Sequence, residues 1–101
     1  MPSFRAQLDI TGLRAGQVPE AVMKSAIAAV GSGHNVEANQ LDIVAGVPRI
    51  TVRFTVEEAM YDDGNHQALR AAANMRHAVE EVAVVRRPLV LRLHRGKWVK
   101  V

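Results

Sequence analysis

The stretch Arg49-Ile50-Thr51-Val52-Arg53-Phe54-Thr55-Val56 decides the fold. Ile50, Val52, Phe54 and Val56 take every second position, and Arg49, Thr51, Arg53 and Thr55 take the rest. Successive side chains of a strand point to opposite faces, so this alternation describes a strand with one buried face and one wet face. Phe4 to Thr11 repeats the pattern. Phe4, Ala6, Leu8 and Ile10 share one parity; Arg5, Gln7, Asp9 and Thr11 share the other.

Working outward, Val22, Met23, Ala26, Ile27 and Val30 recur at helical spacing between the two runs. Pro19 suits the first turn of that helix, where its missing N–H has no partner to lose. Glu20 complements the positive end of the helix dipole. Gly31-Ser32-Gly33 is expected to end it with a left-handed glycine cap. His34 to Val44 reads as a second strand whose parity changes between Val36/Ala38 and Leu41/Ile43, which predicts a bulge near Asn39-Gln40. Ala45-Gly46-Val47-Pro48 predicts a hairpin turn.

Beyond Val56, Ala68, Ala72, Met75, Val79 and Val82 form a second helical stripe, flanked by Leu69 and Ala78. Asp62 or Asp63 is expected to cap its start. Arg86-Arg87-Pro88 is expected to end it, because the residue before a proline avoids the helical region. Leu89, Leu91 and Leu93 alternate with Val90, Arg92 and His94, and the leucines are expected on the helix side. Arg95-Gly96 predicts a tight turn into a last strand from Lys97 to Val101 that carries Trp98.

The order is therefore β-α-β-β-α-β with an extra C-terminal strand. It predicts a single α+β domain of ferredoxin-like form, an antiparallel sheet in order 4-1-3-2 with two helices on one face. The uncovered face would present Arg5, Asp9, Thr51, Arg53 and Thr55, with Asp9 beside one of the arginines.

The totals narrow the chemistry. The 101 residues are 49% apolar and 23% charged, the profile of a globular chain. There is no cysteine, which excludes disulfides, thiolate metal sites and cysteine nucleophiles. Met1-Pro2-Ser3-Phe4-Arg5 lacks the apolar run of a signal peptide, so a cytoplasmic location is expected. No run approaches the ~20 apolar residues of a spanning helix, and no membrane partner is expected. The net charge is +3. From Arg86 onward the charged residues are Arg86, Arg87, Arg92, Arg95, Lys97 and Lys100, with no acid, whereas Glu57, Glu58, Asp62 and Asp63 form an acidic cluster.

No catalytic motif stands out. Ser32 follows a helix and lacks the glycine spacing of a nucleophile elbow. Glu57-Glu58 and Glu80-Glu81 are adjacent in sequence, so their side chains diverge. His66 and His77 would lie about 16 Å apart along a helix and cannot share an ion; His34 and His94 are isolated. No metal and no cofactor is expected. Gly12-Leu13-Arg14-Ala15-Gly16 precedes a helix start, so Arg14, Gly12 and Gly16 are a candidate anion site. Size, charge and strand order invite comparison with acylphosphatases, which hold phosphate in the loop after strand one with an arginine that follows a Gly-x-Val-Gln-Gly-Val run. That run is absent, Arg14 precedes Gly16, and the comparison rests on topology, which does not carry function. The third strand also lacks the arginine-glycine-aromatic pattern of an RNA-recognition motif.

These observations lead to the expectation of a non-catalytic binding or assembly module. It would form a homo-oligomer through the C-terminal strand region, with Trp98, Arg95, Lys97 and Arg92 at the interface. The basic end of one copy would meet the acidic Glu57–Asp63 segment of the next. The alternatives are a nucleic-acid-associated protein that grips phosphates through its basic surface, and a small enzyme with its anion site at Arg14.

Overall fold

The computed structural model describes residues 1–101. The two clearest runs become β1 (Ser3–Leu13) and β3 (Val47–Thr55) and pair antiparallel at the centre of the sheet. Phe4 lies opposite Phe54, Ala6 opposite Val52 and Leu8 opposite Ile50. All six are buried. Helix α1 (Pro19–Gly31) covers this face with Val22, Ala26 and Val30, and α2 (Tyr61–Val79) covers it with Ala68, Ala71, Ala72, Met75 and Val79. Seventeen residues, all but Val56 from strands and helices, form one apolar cluster. Neither helix is long and apolar enough to cross a membrane.

β2 (Asn35–Val44) pairs with β3 and forms one edge of the sheet. Its register shift falls between Val36 and Ala38, at Glu37, and not near Asn39-Gln40. The hairpin turn is two residues, Ala45 (φ +51°) and Gly46 (φ +79°), with Val47 and Pro48 already in β3. Two successive positive φ angles define the turn that matches the twist of a hairpin. Arg95 (φ +51°) and Gly96 (φ +78°) repeat it between β5 (Leu89–His94) and β6 (Lys97–Lys100), as the sequence predicts.

α1 starts at Pro19 and stops within Gly31-Ser32-Gly33, as expected, but without a glycine cap, whereas both ends of α2 differ from expectation. α1 ends at Gly31 with Ser32 in the right-handed region, and neither Gly31 nor Gly33 has a positive φ. The Ser32 hydroxyl donates to the Ala29 carbonyl at 2.8 Å and takes up one terminal acceptor. α2 starts after Met60, without a side-chain cap, so Asp62 and Asp63 act on the dipole from within the first turn. α2 stops at Val79, because the following Val82-Ala83-Val84-Val85 is rich in β-branched residues that favour a strand. Ala83–Val85 forms β4, which the sequence reading assigns to the helix.

The sheet is antiparallel and six-stranded, in the order β2-β3-β1-β5-β6, with β4 also paired to β1. This departs from the expected order 4-1-3-2. β4 and β5 lie along the same side of β1: Leu13 opposes Ala83 and Gln7 opposes Leu89, six residues on in each chain direction. Pro88, which has no N–H to donate, falls in the gap between them.

The parity of β5 is the reverse of that expected. Arg92 opposes Phe4 and Val90 opposes Ala6, so these two face the helices, whereas Leu89 and Leu91 oppose Gln7 and Arg5 on the uncovered face. An arginine can point inward because partners wait for it. Arg92 Nη2 donates to Glu58 Oε1 at 2.6 Å, and Nη1 donates to Glu58 Oε2, the Tyr61 carbonyl and Asn65 Oδ1 at 3.0–3.1 Å. Its guanidinium also lies 3.5 Å from the Tyr61 ring centroid. Gly64 makes the room: a Cβ there would fall 1.7 Å from Glu58 Oε2.

Candidate docking surface at the hairpin end

Length mismatch leaves an exposed apolar surface at the end of the β2–β3 hairpin. α1 has 13 residues and spans about 20 Å at 1.5 Å per residue. β2 has 10 residues and spans about 33 Å. The β2–β3 hairpin therefore outruns the helix that covers it. Leu41 and Ile43, which oppose Ile50 and Pro48 on the helix side, remain 62% and 65% exposed. Leu13 and Val18, at the end of β1 and the start of α1, are exposed nearby. Between hairpin and helix lies a cleft of about 710 Å³, with Ile10, Val22, Met23 and Ile50 inside and Leu41 and Ile43 at its rim.

The same strand offers free backbone. β2 pairs on one side only, so the other side presents unpaired N–H and C=O groups. From Ala38 to Val44 it carries no lysine, arginine or proline, and its blunting features are the Asp42 carboxylate and the bulge at Glu37. The opposite edge, β6, is four residues long and carries Lys97 and Lys100. Its shortness and its lysines are protective features.

The uncovered face is less open than parity alone implies. Trp98 opposes Leu93 and is half-buried, with the Arg5 guanidinium 4.1 Å and that of Arg53 5.2 Å from its ring. Ring and guanidinium groups attract through the ring's negative face. Arg53 Nε, buried and without a hydrogen-bond partner, stands 3.7 Å from Glu37 Oε1. Asp9 accepts from Arg49 Nε at 2.7 Å, the expected neighbour pair, and Arg86 approaches at 3.7 Å. The Arg49 hydrogen bond holds the Asp9 carboxyl below its ordinary pKa, against desolvation that acts the other way. The same bond raises Arg49.

The residues singled out from the sequence do not gather in one place. Trp98 lies on the uncovered face, whereas Arg92 points to the other face and is 6% exposed. Arg95 is in the exposed β5–β6 turn and Lys97 on the exposed edge. Arg92 already holds Glu58, so one contact foreseen between copies occurs within the chain. Arg14 donates from its backbone N–H to the Val82 carbonyl and from Nε to the Glu80 carbonyl, at the C-terminal end of α2. Gly12 sits within β1 opposite Val84, and Gly16 (φ +78°) shapes the turn before α1. No group of three or more His, Asp or Glu side chains converges on a point where an ion could bind. His34 and His94 pack against the Phe54 and Tyr61 rings.

Sequence reading missed the hairpin cleft. Its one signal in the sequence is Leu41 and Ile43 alternating beyond the bulge, because the cover over them depends on where α1 ends. Comparison with protein-family models, with curated proteins and with solved structures gave no match.

Proposed function

We propose that this chain is a non-catalytic binding and assembly module that self-associates. The observation that carries this reading is the meeting of exposed Leu41 and Ile43 with an open sheet edge on one strand. Apolar side chains left in water beside free backbone donors and acceptors favour association through added strands. The large cleft is apolar and holds no cluster of titratable groups, which suits docking better than acid–base chemistry. The C-terminal strand region is a second contact region in this reading, because Leu89, Leu91 and Leu93 give the uncovered face an apolar half beside Trp98. Light-scattering mass measured across concentration tests the proposal, and should rise above the monomer value. A monomer at every concentration, in the native chain and in Trp98→Ala alike, refutes it.

The placement of β4 and β5 along the same side of β1, with one register shift between Ile10 and Gly12, supports reading them as one fourth strand, interrupted at Arg86–Pro88, of a ferredoxin-like fold.

One observation favours a second reading. Arg95, Lys97 and Lys100 take no part in any of the salt bridges, which leaves their charge free for phosphate groups of a nucleic acid. Such binding would weaken steeply as salt rises. Retention of oligonucleotide binding in high salt, or none at low salt, excludes it.

A further inference from the structure

Resting on the self-association reading, we infer that the occupant of the hairpin cleft is a second copy of this chain, joined edge to edge through β2 about a twofold axis at Leu41. Two copies of one strand can pair antiparallel only where opposed residues have the same bonding parity. The axis must then pass through a residue and not between two. At Asp42 the axis would set two carboxylates against each other. At Leu41 it opposes Gln40 to Asp42 of the second copy, Asn39 to Ile43, and Ala38 to Val44, and sets the two Leu41 side chains together. No like charges are opposed. The Gln40 amide already donates to Asp42 within one strand, at 2.8 and 3.0 Å, so the two side chains lie on one face and suit each other chemically.

The axis also fits the surface on either side of the edge. Leu41 and Ile43 of one copy would cover the mouth of the cleft in the other, removing the most exposed apolar pair of the sheet from water. The bulge at Glu37 marks the natural end of the pairing, since it breaks the ladder just before Ala38. A foreign strand could use the same free backbone, but it would not supply this self-complementary order. A twofold contact also closes, whereas joining β2 to β6 of another copy would leave free edges and grow without limit.

The chain has no cysteine, so single substitutions report the register directly. Opposed residues of an antiparallel pair have Cα atoms about 4.5–5.5 Å apart, within disulfide range. Leu41→Cys should cross-link to its own copy under mild oxidation. Asn39→Cys and Ile43→Cys should each cross-link poorly alone and readily when mixed. Leu41→Lys should raise the dimer dissociation constant about a hundredfold, as expected for like charges brought together at an interface. Its melting curve as a monomer shows whether the fold is intact. A dimer that survives Leu41→Lys, with no Leu41→Cys cross-link, overturns the β2 axis while leaving self-association standing. A native chain that stays monomeric at every concentration overturns both.

Discussion

Replacing Glu58 by alanine should cost this protein much of its stability, although the residue lies outside every regular element. The reason is Arg92. Its side chain is 7% exposed and that of Glu58 is 16% exposed, so the pair is largely shielded from water. Two charge-assisted hydrogen bonds join them, at 2.6 and 3.1 Å. In Glu58→Ala the guanidinium keeps only two neutral acceptors, the Tyr61 carbonyl and Asn65 Oδ1, both on Nη1. Removing one member of a buried pair costs about 3–5 kcal/mol, because the remaining charge is left uncompensated. Partial exposure of Glu58 puts the expectation at the lower end, about 3 kcal/mol. In a domain of this size that lowers the melting temperature by roughly 12–24 °C.

Urea unfolding followed by circular dichroism measures the change, and Arg92→Met with Glu58→Ala completes the comparison. The double variant should be more stable than Glu58→Ala alone, since it removes the stranded charge and keeps apolar volume against Phe4. If Glu58→Ala unfolds within about 0.5 kcal/mol of the native chain, a typical surface effect, the pair does not hold β5 to the start of α2. The reasoning about the inverted parity of that strand then fails.

Gly64→Ala should act through the same pair. The added Cβ would meet the Glu58 carboxylate first and Arg92 Nη1 next, so the loss should shrink when measured in a Glu58→Ala background. Asp9→Asn should remove about 1 kcal/mol or less, measured by urea unfolding at neutral pH. The sign for Asp9 follows from its depressed pKa. Its contribution is present above the ordinary carboxylate pKa and is lost as pH falls through the lower folded-state value, so Asp9→Asn should flatten the acid limb of a stability–pH curve. Met75→Ala should destabilise by about 2–5 kcal/mol in thermal melts, because Met75 is fully buried between α2 and the sheet. Gly46→Ala should destabilise more than Gly33→Ala. Only Gly46 has a positive φ, and hydrogen exchange of the β2–β3 hairpin should report the difference.

Much of the architecture was legible in the order of residues. The alternation in Phe4–Thr11 and Arg49–Val56 placed the two central strands and their buried sides. The Val22–Val30 stripe and the Ala68–Val82 stripe, correct as far as Val79, placed both helices and the faces they bury. Asp9 and an arginine were expected as neighbours, and Arg49 is the one that bonds it. These features depend on local periodicity, and periodicity is a property of the chain itself.

Three features needed the folded molecule. Leu89, Leu91 and Leu93 look like a buried set, but pairing with β1 turned Val90 and Arg92 inward. Hydrophobicity favours the leucines, and the partners that reverse the choice, Glu58, Tyr61 and Asn65, lie about thirty residues away. Trp98 found its place by reaching Arg5 and Arg53 from two other strands. The exposure of Leu41 and Ile43 depends on where α1 ends over the sheet, a distance no single segment encodes. Which side chains alternate is written in the chain; which side of an edge strand meets the core, and how far a helix covers it, is decided only when distant segments compete for the same space.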